Sequence, residues 1–116
     1  MLSGEYRFHS RGGVRYVQKN GKSVRGPKIS LVYLGENKRK RSRFAVVVSK
    51  KVLKSAVGRN RIRRRIYEVI RMEFPNMKEM IDVVVSVYSK DIELMPHGEL
   101  TGIMRDTFRS ADLYKN

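Results

Sequence analysis

Residues 58–71, GRNRIRRRIYEVIR, combine an apolar stripe with a cluster of arginines. Apolar side chains recur every three or four residues, which predicts an amphipathic helix. They are Ile62, Ile66, Val69 and Ile70. Five arginines crowd the first half of this helix, where the helix dipole disfavours positive charge and arginines one turn apart repel each other. We therefore expect an anion outside the chain to neutralise them.

A helical wheel indicates which side chains that anion would meet. Opposite the apolar stripe lie Asn60, Arg61, Arg64, Tyr67 and Arg71. Arg59 points nearer the apolar side, from where it could lean over the edge of a sheet. Arginine suits RNA because its planar guanidinium binds phosphate through two hydrogen bonds and stacks on bases. A merely solvated helix is the alternative, but only Glu68 lies within reach to balance the charge.

The charge of the whole chain is uneven. Its 116 residues include 26 Lys and Arg against 11 Asp and Glu, a formal net charge of +15. Between Glu36 and Glu68 there are 13 bases and no acid, whereas the remaining chain, with 13 bases and 11 acids, is close to neutral. A solvated surface would normally mix both signs. The asymmetry instead predicts a basic face that binds a polyanion, nucleic acid in preference to a membrane surface.

The sequence offers few groups for catalysis. It has no cysteine, which excludes disulfides, zinc knuckles and thiol chemistry. His9 and His97 are isolated, Asp82 is a lone carboxylate, and no P-loop pattern occurs. We predict no catalytic residue, no metal ligand and no cofactor in the protein itself. With no apolar signal segment in MLSGEYRFHS and no run approaching the ~20 residues of a membrane span, we expect a soluble, cytoplasmic protein.

The hydrophobic pattern predicts a single domain over residues 1–116 that mixes helices and strands. Strands are predicted at 29–34, 44–49 and 81–89, and helices at 10–19, from a cap at Ser55 to the breaker Pro75, and after Pro96. The basic run KRKRSR (38–43) falls at a hairpin tip. It could contact phosphate, or it could serve only to keep the protein soluble. This order is typical of an α/β (α+β) sandwich, with helices packed on one sheet.

The residues also resemble a known family, the bacterial ribonuclease P protein component. The resemblance rests on VSKKV (48–52) and, after a short gap, RNRIRRRI (59–66), which matches the family's arginine-asparagine-arginine motif. NGKSVRG (20–26), IDVVVSV (81–87) and RDTFRSADLY (105–114) lie where the family has similar segments. The resemblance covers nearly the whole chain.

This resemblance implies a fold and a function. The fold has the order α-β-β-β-α-β-α, one mostly antiparallel sheet, and an unusual left-handed β-α-β crossover through the arginine helix; ~98% of such crossovers are right-handed. The function is that of a protein subunit. A catalytic RNA holds Mg²⁺ and cuts the 5′ leader from precursor tRNA to give the mature end, while the protein binds both that RNA and the leader.

Roles are carried over position by position. The residues that match the catalytic-RNA-binding motif and its neighbouring lysines are Arg59, Asn60, Arg61, Arg63, Arg64, Lys50 and Lys51. The family's leader cleft lies between the first helix and the sheet, where two phenylalanines usually stand four residues apart. Here those positions hold Val14 and Gln18, so the expected leader contacts are Val14, Tyr16, Gln18, Tyr33, Val47 and Lys51. Because side chains alternate between the two faces of a sheet, Tyr33 could instead point away from the first helix.

Three other functions remain open from the sequence. A ribosomal or other structural RNA-binding protein would carry the same charge without a processing role. A DNA-binding module would use the arginine helix to read a groove, although we expect no DNA partner. A free-standing nuclease would cleave RNA without an RNA subunit.

Overall fold

The computed structural model describes residues 2–8, 11–35 and 41–115, and it forms one four-stranded sheet with helices on both faces. The helices are α1 (Arg11–Asn20), α2 (Ala56–Glu73) and α3 (His97–Ser110). The strands are β1 (Lys22–Arg25), β2 (Ile29–Leu34), β3 (Arg43–Val48) and β4 (Asp82–Val87). Short 3-10 turns occupy Gly4–Tyr6, Phe74–Asn76 and Lys90–Glu93. No helix in the described part of the chain is both long and apolar enough to cross a membrane.

The strands lie in the order β1-β2-β4-β3. Antiparallel pairs join β1 to β2 and β2 to β4, whereas β3 and β4 run parallel, with Phe44 opposite Val83 and Val46 opposite Val85. Parallel neighbours need a crossover connection, and α2 provides it. The predicted mixed α+β fold is therefore confirmed, while the left hand of this crossover stays a prediction.

Alternation along the strands divides the core between the two sheet faces. Ile29, Leu31, Val83 and Val85 point towards α2 and α3, where they join the larger apolar cluster. On the other face Val84 packs against α1 within a smaller cluster. That smaller cluster is Phe8, Val17, Ala45 and Val84, with Val14, Val32, Leu34 and Val47 around it. The continuous apolar run of β3 is thus explained by burial on both faces.

The start of α2 is fixed by a local hydrogen bond. Ser55 is its N-cap, because its side-chain oxygen accepts a bond of 3.1 Å from the backbone N–H of Gly58. The helix ends at Glu73, and Pro75 lies in the 3-10 turn that follows. The predicted cap and the predicted end are both confirmed. Strand β1 was missed by the hydrophobic pattern, because KSVR is a short edge strand and most of it is exposed.

Candidate nucleic-acid interface

A groove opens beside β3, where α1, α2 and the N-terminal segment meet. Its volume is about 400 Å³. It is lined by Arg7, Phe8, Val14, Ala45, Val46, Val47, Asn60, Arg63, Arg64 and Tyr67. The floor is apolar and the α2 side is cationic, and none of the described residues that line it is a carboxylate. Such a surface suits a phosphate strand whose bases rest on apolar side chains.

Three residues of the predicted motif face this groove from α2. Asn60 and Arg64 are exposed, and Arg63 is partly exposed beside them. The Asn60 Oδ1 accepts a hydrogen bond of 2.6 Å from Arg63 Nη1, which orients both side chains. Arg64 makes no hydrogen bond or ion pair with any described residue. The groove side of α2 therefore presents two guanidiniums and one amide to solvent.

The other arginines of the helix are bound by the protein itself. Arg65 donates to the backbone carbonyls of Ile92 (2.6 Å), Glu93 (3.0 Å) and Met95 in the segment before α3. Arg61 forms an ion pair of 2.7 Å with the Glu93 carboxylate. These contacts place Arg61 and Arg65 on the flank of α2 away from the groove.

Arg59 also has a structural partner. Its guanidinium donates to the carbonyls of Leu53 (2.9 Å) and Lys54 (2.7 Å), just before the helix. The wheel correctly turned Arg59 away from the exposed face, but its partners are loop carbonyls. Lys50 and Lys51 are exposed in the turn that follows β3.

The family of this chain follows from its similarity to known proteins. The family model described as Ribonuclease P matches residues 2–112. The chain belongs to the ribonuclease P protein family. The ribonuclease P protein component of Clostridium kluyveri is 34% identical over 111 residues, covering 95% of this chain and 97% of that protein. The one from a Pseudanabaena species is 34% identical over 87 residues, covering 75% of each.

Solved structures support the fold. The ribonuclease P protein of Staphylococcus aureus superposes with a TM-score of 0.82 at 21% identity, covering 95% of this chain and 98% of that one. The protein of Thermotoga maritima gives a TM-score of 0.76 at 22% identity, covering 89% and 96%. The match of the family model and the similarity to the Clostridium kluyveri protein confirm the predicted family, and with it the function of a ribonuclease P protein component.

The predicted leader residues of this ribonuclease P protein are dispersed. Val14 and Val47 line the groove. Gln18 is exposed at the end of α1, and Tyr16 is 63% exposed on the flank of the helix away from Val14. Neither of these two lines the groove.

Tyr33 cannot share the cleft beside α1. It packs against the larger core cluster, on the sheet face that carries α2 and α3, whereas its neighbours Val32 and Leu34 face α1. The expectation that Tyr33 lies in this cleft is wrong. Side chains alternate along a strand, so Tyr33 points to the opposite face from Val32 and Leu34.

Two residues of the groove were not predicted correctly from the sequence: Tyr67 was placed on the wrong face of α2, and Arg7 was missed. The wheel put Tyr67 on the exposed face, but the residue is only 5% exposed and packs against β3. Burial raises the pKa of Tyr67, although a backbone hydrogen bond at Val46 and the nearby charges of Arg7 and Arg63 oppose that rise. Arg7 gave no signal, because it is a single base in an irregular segment.

Two bases of the run 38–43 pair with carboxylates in the described part of the chain. Of the run 38–43, residues 38–40 lie outside the described ranges. Arg41 pairs with Glu5 at 2.7 Å, and Arg43 pairs with Asp82 at 2.8 Å at the parallel strand pair. No group of three His, Cys, Asp or Glu side chains that could hold a metal ion occurs among the described residues.

Proposed function

We propose that this chain binds a large catalytic RNA and helps it to remove the 5′ leader of precursor tRNA. The observation that carries the proposal is the groove, in which Asn60, Arg63 and Arg64 lie beside an apolar floor, with no carboxylate among the described lining residues. The phosphates of the folded RNA neutralise the arginines of α2, so the mutual repulsion of these residues is relieved. Lys50 and Lys51 extend the same surface from the end of β3.

In this proposal the RNA performs the chemistry. The groove is cationic and apolar, whereas Mg²⁺ prefers oxygen ligands such as carboxylates. The RNA therefore holds the Mg²⁺ ions, and the isolated protein is inactive. The protein lowers the Mg²⁺ requirement by neutralising phosphate repulsion within the complex. Such a particle acts in the cytoplasm on precursor tRNA.

The leader lies along the apolar part of the groove in this proposal. Val14 and Val47 contact its unpaired bases, and Lys51 reaches a backbone phosphate from the end of the strand. Lys51→Ala should therefore weaken binding of the reconstituted particle to precursor tRNA and leave binding to mature tRNA unchanged. Equal losses for both substrates would place Lys51 outside the leader path.

Reconstitution tests the proposal. End-labelled precursor tRNA is incubated with the protein, with its catalytic RNA, or with both, over a range of Mg²⁺ concentrations. Cleavage at low Mg²⁺ should need both components, and the protein alone should cut at no concentration. Specific cleavage by the protein alone would favour a free-standing nuclease. A failure of the protein to stimulate the RNA would favour a structural RNA-binding protein.

A further inference from the structure

A carboxylate from outside α2 lies against the start of the arginine helix. Glu93 belongs to the 3-10 turn Lys90–Glu93 that precedes α3, and its Oε2 pairs with Arg61 Nη1 at 2.7 Å. The two residues are 32 positions apart in the sequence. The Glu93 side chain is 20% exposed and that of Arg61 is 52% exposed. One arginine of the cluster therefore has an anion of the protein itself as its partner before any RNA binds.

Glu93 is held in this position through both its backbone and its side chain. Arg65 donates to the backbone carbonyls of Ile92 at 2.6 Å and Glu93 at 3.0 Å. A Cβ at Gly58 would lie 3.2 Å from Glu93 Oε2, so the glycine leaves room for the carboxylate beside the first turn of α2. That turn has no acid of its own. Because the N-terminus of a helix attracts negative charge, the carboxylate is favoured there in addition to its pairing with Arg61.

A neighbouring acid of the same 3-10 turn has a different partner. Asp91 pairs with Lys28 Nζ at 3.0 Å, in the turn between β1 and β2. Each of the two acids adds one negative charge to this part of the surface. Glu93 pairs with an arginine of α2, whereas Asp91 pairs with a lysine of the sheet. A comparison of the two can therefore separate the effect of the Arg61 pair from the effect of net charge.

The pair with Glu93 makes Arg61 a poorer ligand for phosphate than a free arginine. A phosphate at Arg61 must either displace the carboxylate or lie close to it, and like charges at such a distance repel each other. An RNA that binds only through its backbone charge depends on how many phosphates the protein neutralises. Such an RNA loses affinity when one arginine of the helix is occupied.

We propose that Glu93 is a specificity-determining residue, which keeps Arg61 from RNAs that bind α2 only through their phosphate backbone. The catalytic RNA is placed by its folded shape on Asn60, Arg63 and Arg64, so it loses less from the occupation of Arg61. This inference rests on the proposed function, because it requires a cognate RNA on α2. Glu93 touches no RNA in this account and acts through Arg61.

Affinities for two RNAs test the inference. The probes are the catalytic RNA and an unrelated structured transcript of equal length, each titrated at several salt concentrations. Glu93→Gln removes the charge and keeps the shape of the side chain, and Glu93→Ala also removes the oxygen that accepts from Arg61. Asp91→Asn is the control, because it removes the same charge from the same turn but frees a lysine outside α2.

Both Glu93 variants should bind the unrelated RNA more tightly, with a salt slope that is steeper by roughly 0.7–0.9, the value for one phosphate contact. If that contact contributes nothing at about 1 M salt, it amounts to about a five- to eightfold gain at about 0.1 M. The affinity for the catalytic RNA should rise less than about twofold, and Asp91→Asn should change each affinity less than about twofold, since an exposed pair contributes little.

A second background shows whether the effect passes through Arg61. In the Arg61→Gln protein, Glu93→Gln should no longer raise the affinity for the unrelated RNA. A gain that persists in that background, or a gain of the same size with Asp91→Asn, would overturn the inference. Equal gains for both RNAs, or no gain for the unrelated RNA, would overturn it too.

Thermal unfolding separates binding from folding. The melting temperature of each variant is recorded, and affinities are compared at temperatures where all variants are folded. A purely structural role of Glu93 would lower the melting temperature and leave the salt slope unchanged, which counts against the inference. If Arg64→Ala still weakens binding to the catalytic RNA in that case, the proposed function stands without it.

Discussion

Arg64 and Arg65 are neighbours in sequence, but the structure gives them different partners. Arg64 faces the groove and has no partner among the residues that the structure describes, whereas Arg65 donates to three backbone carbonyls in the segment before α3. The exposed position of Arg64 could be predicted from the helical wheel. The wheel could not assign a role to Arg65, because the carbonyls that accept its hydrogen bonds are exposed by a 3-10 turn some 30 positions away, and carbonyls leave no mark in the sequence.

Arg64→Ala should weaken binding to the catalytic RNA and reduce its salt dependence. The plot of log K against log salt concentration should become less steep by roughly 0.7–0.9, the contribution of one phosphate contact. The unfolding free energy should stay within about 0.5 kcal/mol of the parent, since the side chain is exposed. An unchanged slope together with lowered stability would mean that Arg64 faces the protein.

Arg65→Ala should give the opposite pattern. The loss of its guanidinium leaves the carbonyls of Ile92, Glu93 and Met95 without these donors, at an expected cost of about 1–3 kcal/mol in unfolding free energy. Binding to the catalytic RNA, measured where the variant is folded, should keep its salt slope. Urea unfolding and a salt titration of the two variants side by side make the comparison. A reduced salt slope for Arg65→Ala would contradict its structural role.

At the scale of the elements, the apolar pattern was informative wherever an element has a buried face. Strands β2, β3 and β4 and the stripe of α2 could be predicted for that reason, whereas the cap at Ser55 could be predicted from the capping preference of serine. Strand β1 could not be predicted, because most of its residues are polar and exposed and its place is set by pairing with β2. The hand of the crossover also escapes the pattern, since both hands bury the same residues.

The joint between α1 and β1 depends on Gly21. A Cβ at this position would lie 2.7 Å from the carbonyl oxygens of Val17 and Tyr33 and 2.8 Å from Val32 Cγ1. Because two of these atoms belong to the backbone, they cannot move aside cheaply. Gly21→Ala should therefore destabilise the protein by about 1–3 kcal/mol. Thermal unfolding checks this, with Gly98→Ala as a control, since a Cβ at Gly98 meets nothing within 4 Å.

The end of α2 is tied to α3 and the C-terminal segment through Glu73. The Glu73 carboxylate is buried, and it accepts hydrogen bonds from Arg105 Nε (3.1 Å) and the Tyr114 hydroxyl (2.8 Å). Burial acts to raise the pKa of Glu73, but these hydrogen bonds outweigh it and hold the pKa below the usual value of 4.5. The folded state therefore binds the proton less readily than the unfolded chain does.

Because the pKa of Glu73 is lower in the folded state than in the unfolded chain, the protein loses stability at acid pH. The contribution of Glu73 is present above about pH 4.5, the unfolded value, and is lost as the pH falls through the lower folded value. Glu73→Gln should lower stability at neutral pH by about 1–3 kcal/mol and flatten the loss below pH 4.5. Unfolding free energies from pH 3 to 7 test this, with exposed Glu79→Gln as control. A parallel pH profile for Glu73→Gln would contradict the account.

For the whole molecule, the uneven charge correctly indicated a basic surface, but the structure limits that surface to part of the arginine cluster. Arg59, Arg61 and Arg65 have protein partners, whereas Asn60, Arg63 and Arg64 line the groove. The N-terminal segment completes the groove with Arg7 and Phe8. These residues are distant in sequence, and only folding brings them together.

The identity of the RNA bound in the cell tests the central claim most directly. The tagged protein is crosslinked to RNA in cells, purified under denaturing conditions, and its RNA is sequenced, with the double variant Arg63→Ala, Arg64→Ala as the background. We predict one large structured RNA, the ribonuclease P RNA, together with reads from precursor tRNA leaders, and a strong loss of both in the variant. Ribosomal RNA as the dominant species, equally recovered with the variant, would contradict the account.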